Sequence, residues 1–172
     1  RLQAPAGQGD QDLLQRLDWV VASVISVSNS LVAGSIVRYG TPAQKERWLS
    51  AIARGDLLTS ACLTEPGGGT DLGNMATTAT RADGGWRLTG TKVFISHAAH
   101  AGLFFVVASI DREQKHRGVT AFLVDPHATS GITIGDFPMR TLKRDNLAEV
   151  NFQDAFVPDD AVLGKPGQGF PI

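Results

Sequence analysis

The stretch Ala61-Cys62-Leu63-Thr64-Glu65-Pro66-Gly67-Gly68-Gly69-Thr70-Asp71 gathers more chemistry-bearing residue types than any other part of the chain. A β-type run ends in three glycines, which let backbone N–H groups approach an anionic or carbonyl-bearing ligand without interference from a Cβ. Thr64 and Thr70 add hydroxyls on either side. The form is that of a ligand loop, although a plain flexible turn has the same composition. No Gly-Lys-Ser/Thr follows, so it is not a P-loop, and Leu72 stands where G-x-G-x-x-G would require its third glycine.

Other reactive side chains carry structural readings beside the chemical ones. Glu65 and Asp71 are candidate bases, but capping and turn hydrogen bonds within the glycine loop are the expectation for both. Glu149 reads as a salt-bridge or sheet-edge residue. Cys62 precedes the loop on a strand, where a small buried side chain is expected in place of a nucleophile. His97 and His100 stand three apart without further ligands held nearby, so no metal site is expected. His116 and His127 fall in loops and read as solvated. The run Asp111-Arg112-Glu113-Gln114-Lys115-His116-Arg117 is a solvent-facing turn.

The elements that must position these residues change character near Gly55. From Asp10 to Gly55 turn residues are few, and Asp12 to Tyr39 contains no proline and only Gly34. Asp10 supplies a helix cap there, and two helices or one bent helix fit the stretch. Thr41-Pro42 then marks a second start, Trp48, Leu49 and Ile52 recur at helical spacing, and Gly55 provides the stop. No charge occurs between Trp19 and Val37, enough for a bilayer span. Six interspersed Ser and Asn residues argue for a soluble helix buried on all sides, and the missing basic n-region argues against a signal peptide. From Leu57 onward apolar β-type runs alternate with Gly and Pro. Strands are expected at 57–63, 76–82, 86–95, 103–110, 120–124, 132–134 and 149–153, with a hairpin turn at Asp83-Gly84-Gly85. No helix-length pattern separates them, which disfavours a parallel βαβ sheet and predicts an antiparallel barrel or sandwich. The expected organisation is a helical region over 1–55, a β-domain over 56–157 and an irregular linker over 158–172.

Composition limits the function classes. The chain has 172 residues, 16 Lys and Arg against 17 Asp and Glu, and a net charge of −1, which disfavours nucleic acid as a partner. Its 42% hydrophobic content supports a folded core and excludes general disorder. With one cysteine no internal disulfide can form, so a reducing compartment is the default, and for want of a targeting signal the expected location is the cytoplasm.

The glycine loop is followed in order by Gly90-Thr91-Lys92-Val93-Phe94-Ile95-Ser96, Arg117-Gly118-Val119-Thr120-Ala121-Phe122-Leu123-Val124, Phe152-Gln153-Asp154-Ala155-Phe156-Val157-Pro158, and Leu163-Gly164-Lys165-Pro166-Gly167-Gln168-Gly169-Phe170. Upstream stand Asn29-Ser30-Leu31 and Gly40-Thr41-Pro42-Ala43-Gln44-Lys45-Glu46-Arg47-Trp48-Leu49. This ordered set resembles the acyl-CoA dehydrogenase family of flavoproteins, especially its short-chain branch, from about Asp18 onward. The resemblance implies an α+β architecture in which a helical region packs on an antiparallel β-barrel. It implies FAD as cofactor, held by Ala61, Leu63, Thr64, Gly69 and Thr70 and by Phe94, Ile95 and Ser96, with Thr70 also touching the acyl thioester. In the family an aromatic packs on the isoalloxazine and a hydroxyl bonds near N5; Phe94 and Ser96 occupy those places where Trp and Thr are usual. Lys143-Arg144-Asp145-Asn146-Leu147-Ala148 departs from the usual Arg-x-Ser-x-Thr.

The family's catalytic Glu comes from a C-terminal helical domain that would lie beyond Ile172. The chain is therefore expected to lack a catalytic residue of its own, to lack activity alone, and to be part of a longer protein. The implied partners are an acyl-CoA or acyl-carrier-protein thioester, an electron-transfer flavoprotein as acceptor, and further copies in a homotetramer. The competing readings are a non-catalytic flavin-binding or scaffold subunit, and a membrane-anchored protein using Trp19 to Val37.

Overall fold

The computed structural model describes residues 19–136 and 147–172. The Asp10 cap and the Lys143–Asn146 part of the divergent segment lie outside these. α1 (Trp19–Ser26), a π-helical stretch (Val27–Ala33) and α2 (Gly34–Tyr39) form one uninterrupted helical run. α3 (Pro42–Arg54) begins and ends where the sequence places its caps. The Thr41 hydroxyl accepts the Gln44 N–H at 3.2 Å, and the Gln44 side chain accepts the Thr41 N–H at 3.0 Å. Proline stands at the first turn and Gly55 stops the helix at φ +78°, the left-handed conformation that glycine adopts without strain. Gln44 also donates to the carbonyls of Asp160 at 2.7 Å and Val162 at 2.9 Å, so one buried amide both caps the helix and ties it to the end of the chain.

The first helical run is not buried on all sides. Val21, Leu31 and Val37 are 48%, 46% and 44% exposed, whereas Ser28, Val32, Ser35 and Ile36 are buried. Small serines let the helix lie close to its neighbours, and their hydroxyls are satisfied: Ser28 accepts from Thr59 at 3.2 Å, and Ser35 donates to the Leu31 carbonyl at 2.6 Å. Val21–Tyr39 is long and apolar enough to cross a membrane by length and composition alone. Here it packs through Val32 and Ile36 against the sheet.

Eight strands follow among the described residues: β1 (Thr59–Cys62), β2 (Thr78–Ala82), β3 (Gly85–Ser96), β4 (Leu103–Ser109), β5 (Val119–Val124), β6 (Ile132–Asp136), β7 (Leu147–Pro158) and β8 (Val162–Leu163). They pair in the order β6-β7-β3-β2-β4-β5-β8, with β1 attached to β4. Most pairs are antiparallel, as expected, but β1–β4 and β2–β4 are parallel. The β2–β3 hairpin acts as the crossover that a parallel pair needs, which is why no helix separates β1 from β4. The hydrogen-bonded path is open rather than closed into a barrel, with β6 and β8 at its ends. The Asp83-Gly84 turn joins β2 to β3 with Gly84 at φ +72°.

β4 is buried along its whole length, and its alternation divides the molecule. Leu103, Phe105 and Val107 join Val32, Ile36, Trp48, Ile52, Val119, Ala121 and Leu123 beneath the helices. Phe104, Val106 and Ala108 join Leu88, Ile95, Phe122, Val150, Phe152 and Val157 on the opposite face, where β3 and β7 share a core with β4 and β5. This period-2 division is the sheet's usual way of filling two cores from one strand.

The cap supplies the test of this packing. Thr41→Ala is expected to lower unfolding free energy by about 1 kcal/mol, and Gln44→Leu by about 2–3 kcal/mol because the carbonyls of Asp160 and Val162 lose their donor. Urea denaturation followed by far-UV circular dichroism measures both, and equal effects would contradict the bridging role of Gln44.

Candidate functional site

The glycine loop is an excursion whose two ends are joined at the neck. Glu65 and Gly68 exchange backbone hydrogen bonds of 3.0 and 3.1 Å around Pro66-Gly67. The chain then runs through the exposed Gly69–Asp71 into a short 3-10 turn, Leu72–Asn74. On its return, the N–H groups of Ala76 and Thr77 donate to the Glu65 carboxylate at 2.5 and 2.9 Å. Opposite them, Lys92 Nζ donates to Glu65 Oε1 at 2.9 Å and to the Leu63 carbonyl at 3.1 Å. The side chains of Lys92 and Glu65 are 0% and 7% exposed.

Burial by itself raises the Glu65 carboxyl, but hydrogen bonds from Thr77 and Ala76 and the Lys92 charge outweigh it and hold the group below the usual carboxylate range. Burial pulls the Lys92 ammonium below its ordinary value, and Glu65 opposes that shift. Burial pushes the Cys62 thiol up to about 12, with Lys92 acting in the other direction. At 0% exposure Cys62 is a core side chain and carries no thiolate near neutral pH.

Lys92 lies two residues before the other half of the site. The register of β3 against β7 shifts between Lys92 and Ile95. Within that irregularity Phe94 adopts φ +58°, uncommon for a bulky residue, and its ring is 49% exposed. The Val93 N–H donates to the Thr64 carbonyl at 2.9 Å, and the Ser60 hydroxyl donates to the Ser96 carbonyl at 2.7 Å. The end of β1 and the bulged end of β3 are thus directly joined.

Of the residues singled out from the sequence, Thr64 and Ser96 come together at this junction, with Gly69 and Thr70 exposed on the loop that leaves it. Ala61 and Leu63 are half-buried and pack against the core beneath the helices. Ile95 is 2% exposed in the opposite core, which leaves its backbone as the part able to meet a ligand.

Glu65 is structural, as expected, but it bonds the neck and Lys92 instead of the loop interior. Asp71 makes no side-chain cap; its carbonyl accepts the Asn74 N–H at 3.2 Å. Glu149 is neither at a sheet edge nor in a salt bridge among the described residues: it lies on β7 between β3 and β6 and accepts a hydrogen bond from Asn151 at 2.9 Å. His116 is exposed, as expected, and in addition its ring centroid lies 4.4 Å from that of Phe170. His127 is exposed. His97 is buried and His100 exposed, at opposite ends of one turn, and the described residues contain no group of three or more His, Cys, Asp or Glu suited to a metal. Sequence reasoning missed Lys92. Its signal was available, because the alternation Trp86, Leu88, Gly90 continues to an inward-facing 92, where a lysine requires a carboxylate.

The residue chemistry here is compatible with a flavin dinucleotide: glycines that bare the backbone, hydroxyls and an exposed aromatic face. Gly67 and Gly68 have no positive φ, and a Cβ on either would meet nothing within 4 Å. Nothing inside the chain requires glycine there, and the open space leaves the backbone accessible to a ligand. Thr64, Thr70 and Ser96 provide hydroxyls, and Phe94 an exposed aromatic face. A cleft of about 290 Å³ lined by Thr41, Arg47, Trp48, Leu123 and Phe156 includes none of these residues.

Comparison with known proteins bears on the whole chain. Residues 60–155 match the family model of the acyl-CoA dehydrogenase middle domain, and residues 12–56 match that of the N-terminal domain. A short-chain specific acyl-CoA dehydrogenase of Bos taurus mitochondria is 42% identical over 151 residues, covering 87% of this chain and 36% of the bovine protein. The crystal structure of an acyl-CoA dehydrogenase from Geobacillus kaustophilus matches with a TM-score of 0.88 at 35% identity, over 94% of this chain and 43% of that one. The FAD complex of PigA matches with a TM-score of 0.84 at 29% identity, over 90% and 40%. The chain spans between about a third and a half of the length of these three proteins.

The neck makes an acid-stability prediction. The depressed Glu65 carboxyl contributes stability that is complete above its unfolded value of about 4.3 and is lost as pH falls through its lower folded value. Acid titration of the wild type should therefore show an unfolding limb below about pH 4 that Glu65→Gln reduces. Lys92→Met alone should cost about 3–5 kcal/mol because it leaves a buried carboxylate uncompensated; a cost below 1 kcal/mol would refute the pairing.

Proposed function

The chain belongs to the acyl-CoA dehydrogenase family, and from that membership we propose that it is the helical and β-sheet part of an FAD-dependent dehydrogenase that introduces a trans-2 double bond into a short acyl-CoA thioester. The observation that carries the reading is the junction at which a ligand-ready glycine loop meets the bulged end of β3. FAD, the cofactor of the family, supplies hydride acceptance when bound. Thr64, Gly69 and Thr70 would hold it from the loop side, with backbone groups of Ala61 and Leu63. Phe94, Ser96 and the Ile95 backbone would hold it from β3. Donors of the loop would offer hydrogen bonds to negative charge developing on the bound cofactor. Phe94 excludes water from one face, and Thr70 orients the thioester.

Glu65 cannot remove the substrate α-proton, because its carboxylate is buried and engaged by Lys92 and two backbone N–H groups. Asp71 is exposed and Glu149 is bonded to Asn151. In the family that proton goes to a carboxylate of the C-terminal domain, so it is assigned here to a group outside these 172 residues, with assembly as a homo-oligomer, electron transfer to an electron-transfer flavoprotein and a cytoplasmic location. The closing of the sheet into a barrel belongs to the same proposal.

The test is the visible spectrum after incubation with FAD and desalting. A band near 450 nm is expected to remain at about one flavin per chain, and Ser96→Ala with Thr70→Val should weaken retention at least tenfold. Absence of retained flavin from the full-length protein would refute the proposal. With flavin bound, bleaching by butyryl-CoA but not by the same acyl group on carrier protein supports CoA as the carrier; the reverse result would transfer the activity to carrier-protein thioesters.

A further inference from the structure

We propose that His116 is a positioning residue for the glycine loop: its ring sets the place of the Leu72–Asn74 turn by packing over Gly73, and is itself backed by Phe170. The inference rests on the flavin reading above in one respect only, that the loop so placed is the one that holds the cofactor.

The neck formed by Glu65 fixes where the loop starts and returns, but the exposed Gly67–Asp71 section has little to hold its far side. That side is the Leu72–Asn74 turn, with Leu72 against the core beneath the helices and Gly73 buried. A Cβ on Gly73 would stand 2.3 Å from His116 Nδ1 and 2.5 Å from Cε1. The imidazole thus occupies the space a side chain at 73 would take. Gly73 has no positive φ, so backbone conformation does not call for glycine there; a side chain at 73 would instead have to displace the ring of His116, which is exposed on its remaining sides.

The opposite neighbour of the ring is equally determined. Phe170 lies with its centroid 4.4 Å away at an interplanar angle of 44°. It is carried by a tail laid closely on the start of β5: Gly167 N–H donates to the Thr120 hydroxyl at 2.9 Å and Gly169 N–H to the Val119 carbonyl at 2.8 Å. A Cβ on Gly169 would fall 2.6 Å from the Thr120 carbonyl carbon. The glycines of this tail, which read as linker in the sequence, allow the approach that puts Phe170 on His116. Loss of the His116 ring, or of Phe170 behind it, should therefore release the turn without unfolding the two cores.

The experiment is a steric double-variant cycle in the full-length protein, read by FAD affinity and by amide hydrogen exchange over residues 67–75. Gly73→Ala is expected to weaken FAD binding about tenfold and to speed exchange in the loop, since the new methyl displaces the ring. His116→Ala should do the same to a similar degree. The decisive arm is the pair: in the His116→Ala background Gly73→Ala should have no further effect, because the space it needs is then vacant. Phe170→Ala should weaken binding in the wild type and not in His116→Ala. Independent, additive losses, or a harmless Gly73→Ala in the wild type, would overturn the proposal. If the wild type itself retains no FAD, the flavin reading fails, and hydrogen exchange in the same variants still decides whether His116 holds the loop.

Discussion

A lysine ammonium with no solvent exposure must have a fixed counter-charge, and the arrangement of this molecule around its candidate site follows from that requirement. Lys92 meets Glu65, and Glu65 is thereby kept ionised at the one place where its oxygens can also accept from Ala76 and Thr77. Buried pairs of this kind add little net stability compared with well-packed apolar residues, because desolvation offsets most of the attraction. Their effect is positional. The wrong register of β3, or a loop of another length between Glu65 and Ala76, would leave a charge buried alone. The pair therefore selects one relation between the glycine loop and the strand that carries Phe94 and Ser96.

The rest of the sheet serves the same junction. β4 is apolar on both faces, and β1 lies alongside it in parallel. That pairing brings the end of β1 to the bulged end of β3, where the Val93 N–H and the Ser96 carbonyl meet Thr64 and Ser60. Phe94 can present its ring outward because the register shift in β3 moves the inward-facing positions from the even series of Trp86, Leu88 and Lys92 to Ile95. A left-handed φ on a phenylalanine costs on the order of 1 kcal/mol and persists because the strands on both sides of it are held by long pairings.

The helical region shows a different compromise. Two of its serines, Ser28 and Ser35, face inward, while Ser26 and Ser30 and the larger Val21, Leu31 and Val37 face outward. Buried hydroxyls are tolerated because each has a nearby acceptor or donor, and their small size allows the helix to approach the sheet closely. A hydropathy reading sees only the absence of charge between Trp19 and Val37. It therefore predicts burial on all sides, when the helix in fact presents an apolar face on each side and buries one of them.

Local signals were legible wherever a residue acts on its immediate neighbours. Thr41-Pro42 and Gly55 bounded a helix, Asp83-Gly84 a hairpin, and alternating apolar runs located seven of the eight strands, because capping, turn conformation and the period of a strand are properties of adjacent residues. The order of motifs pointed to the family, and with it to the loop and the β3 end as two halves of one site. What the sequence could not hold was any relation set by packing between distant segments. The partner of Lys92, the parallel placement of β1, the inward serines, the burial of Ile95 and the contact of His116 with Gly73 and Phe170 all depend on which surfaces exclude water together. Glu65 and Lys92 stand 27 positions apart, and no pattern along the chain says that they will share one desolvated space; the folded sheet decides it, because only there does leaving either charge unpaired become costly.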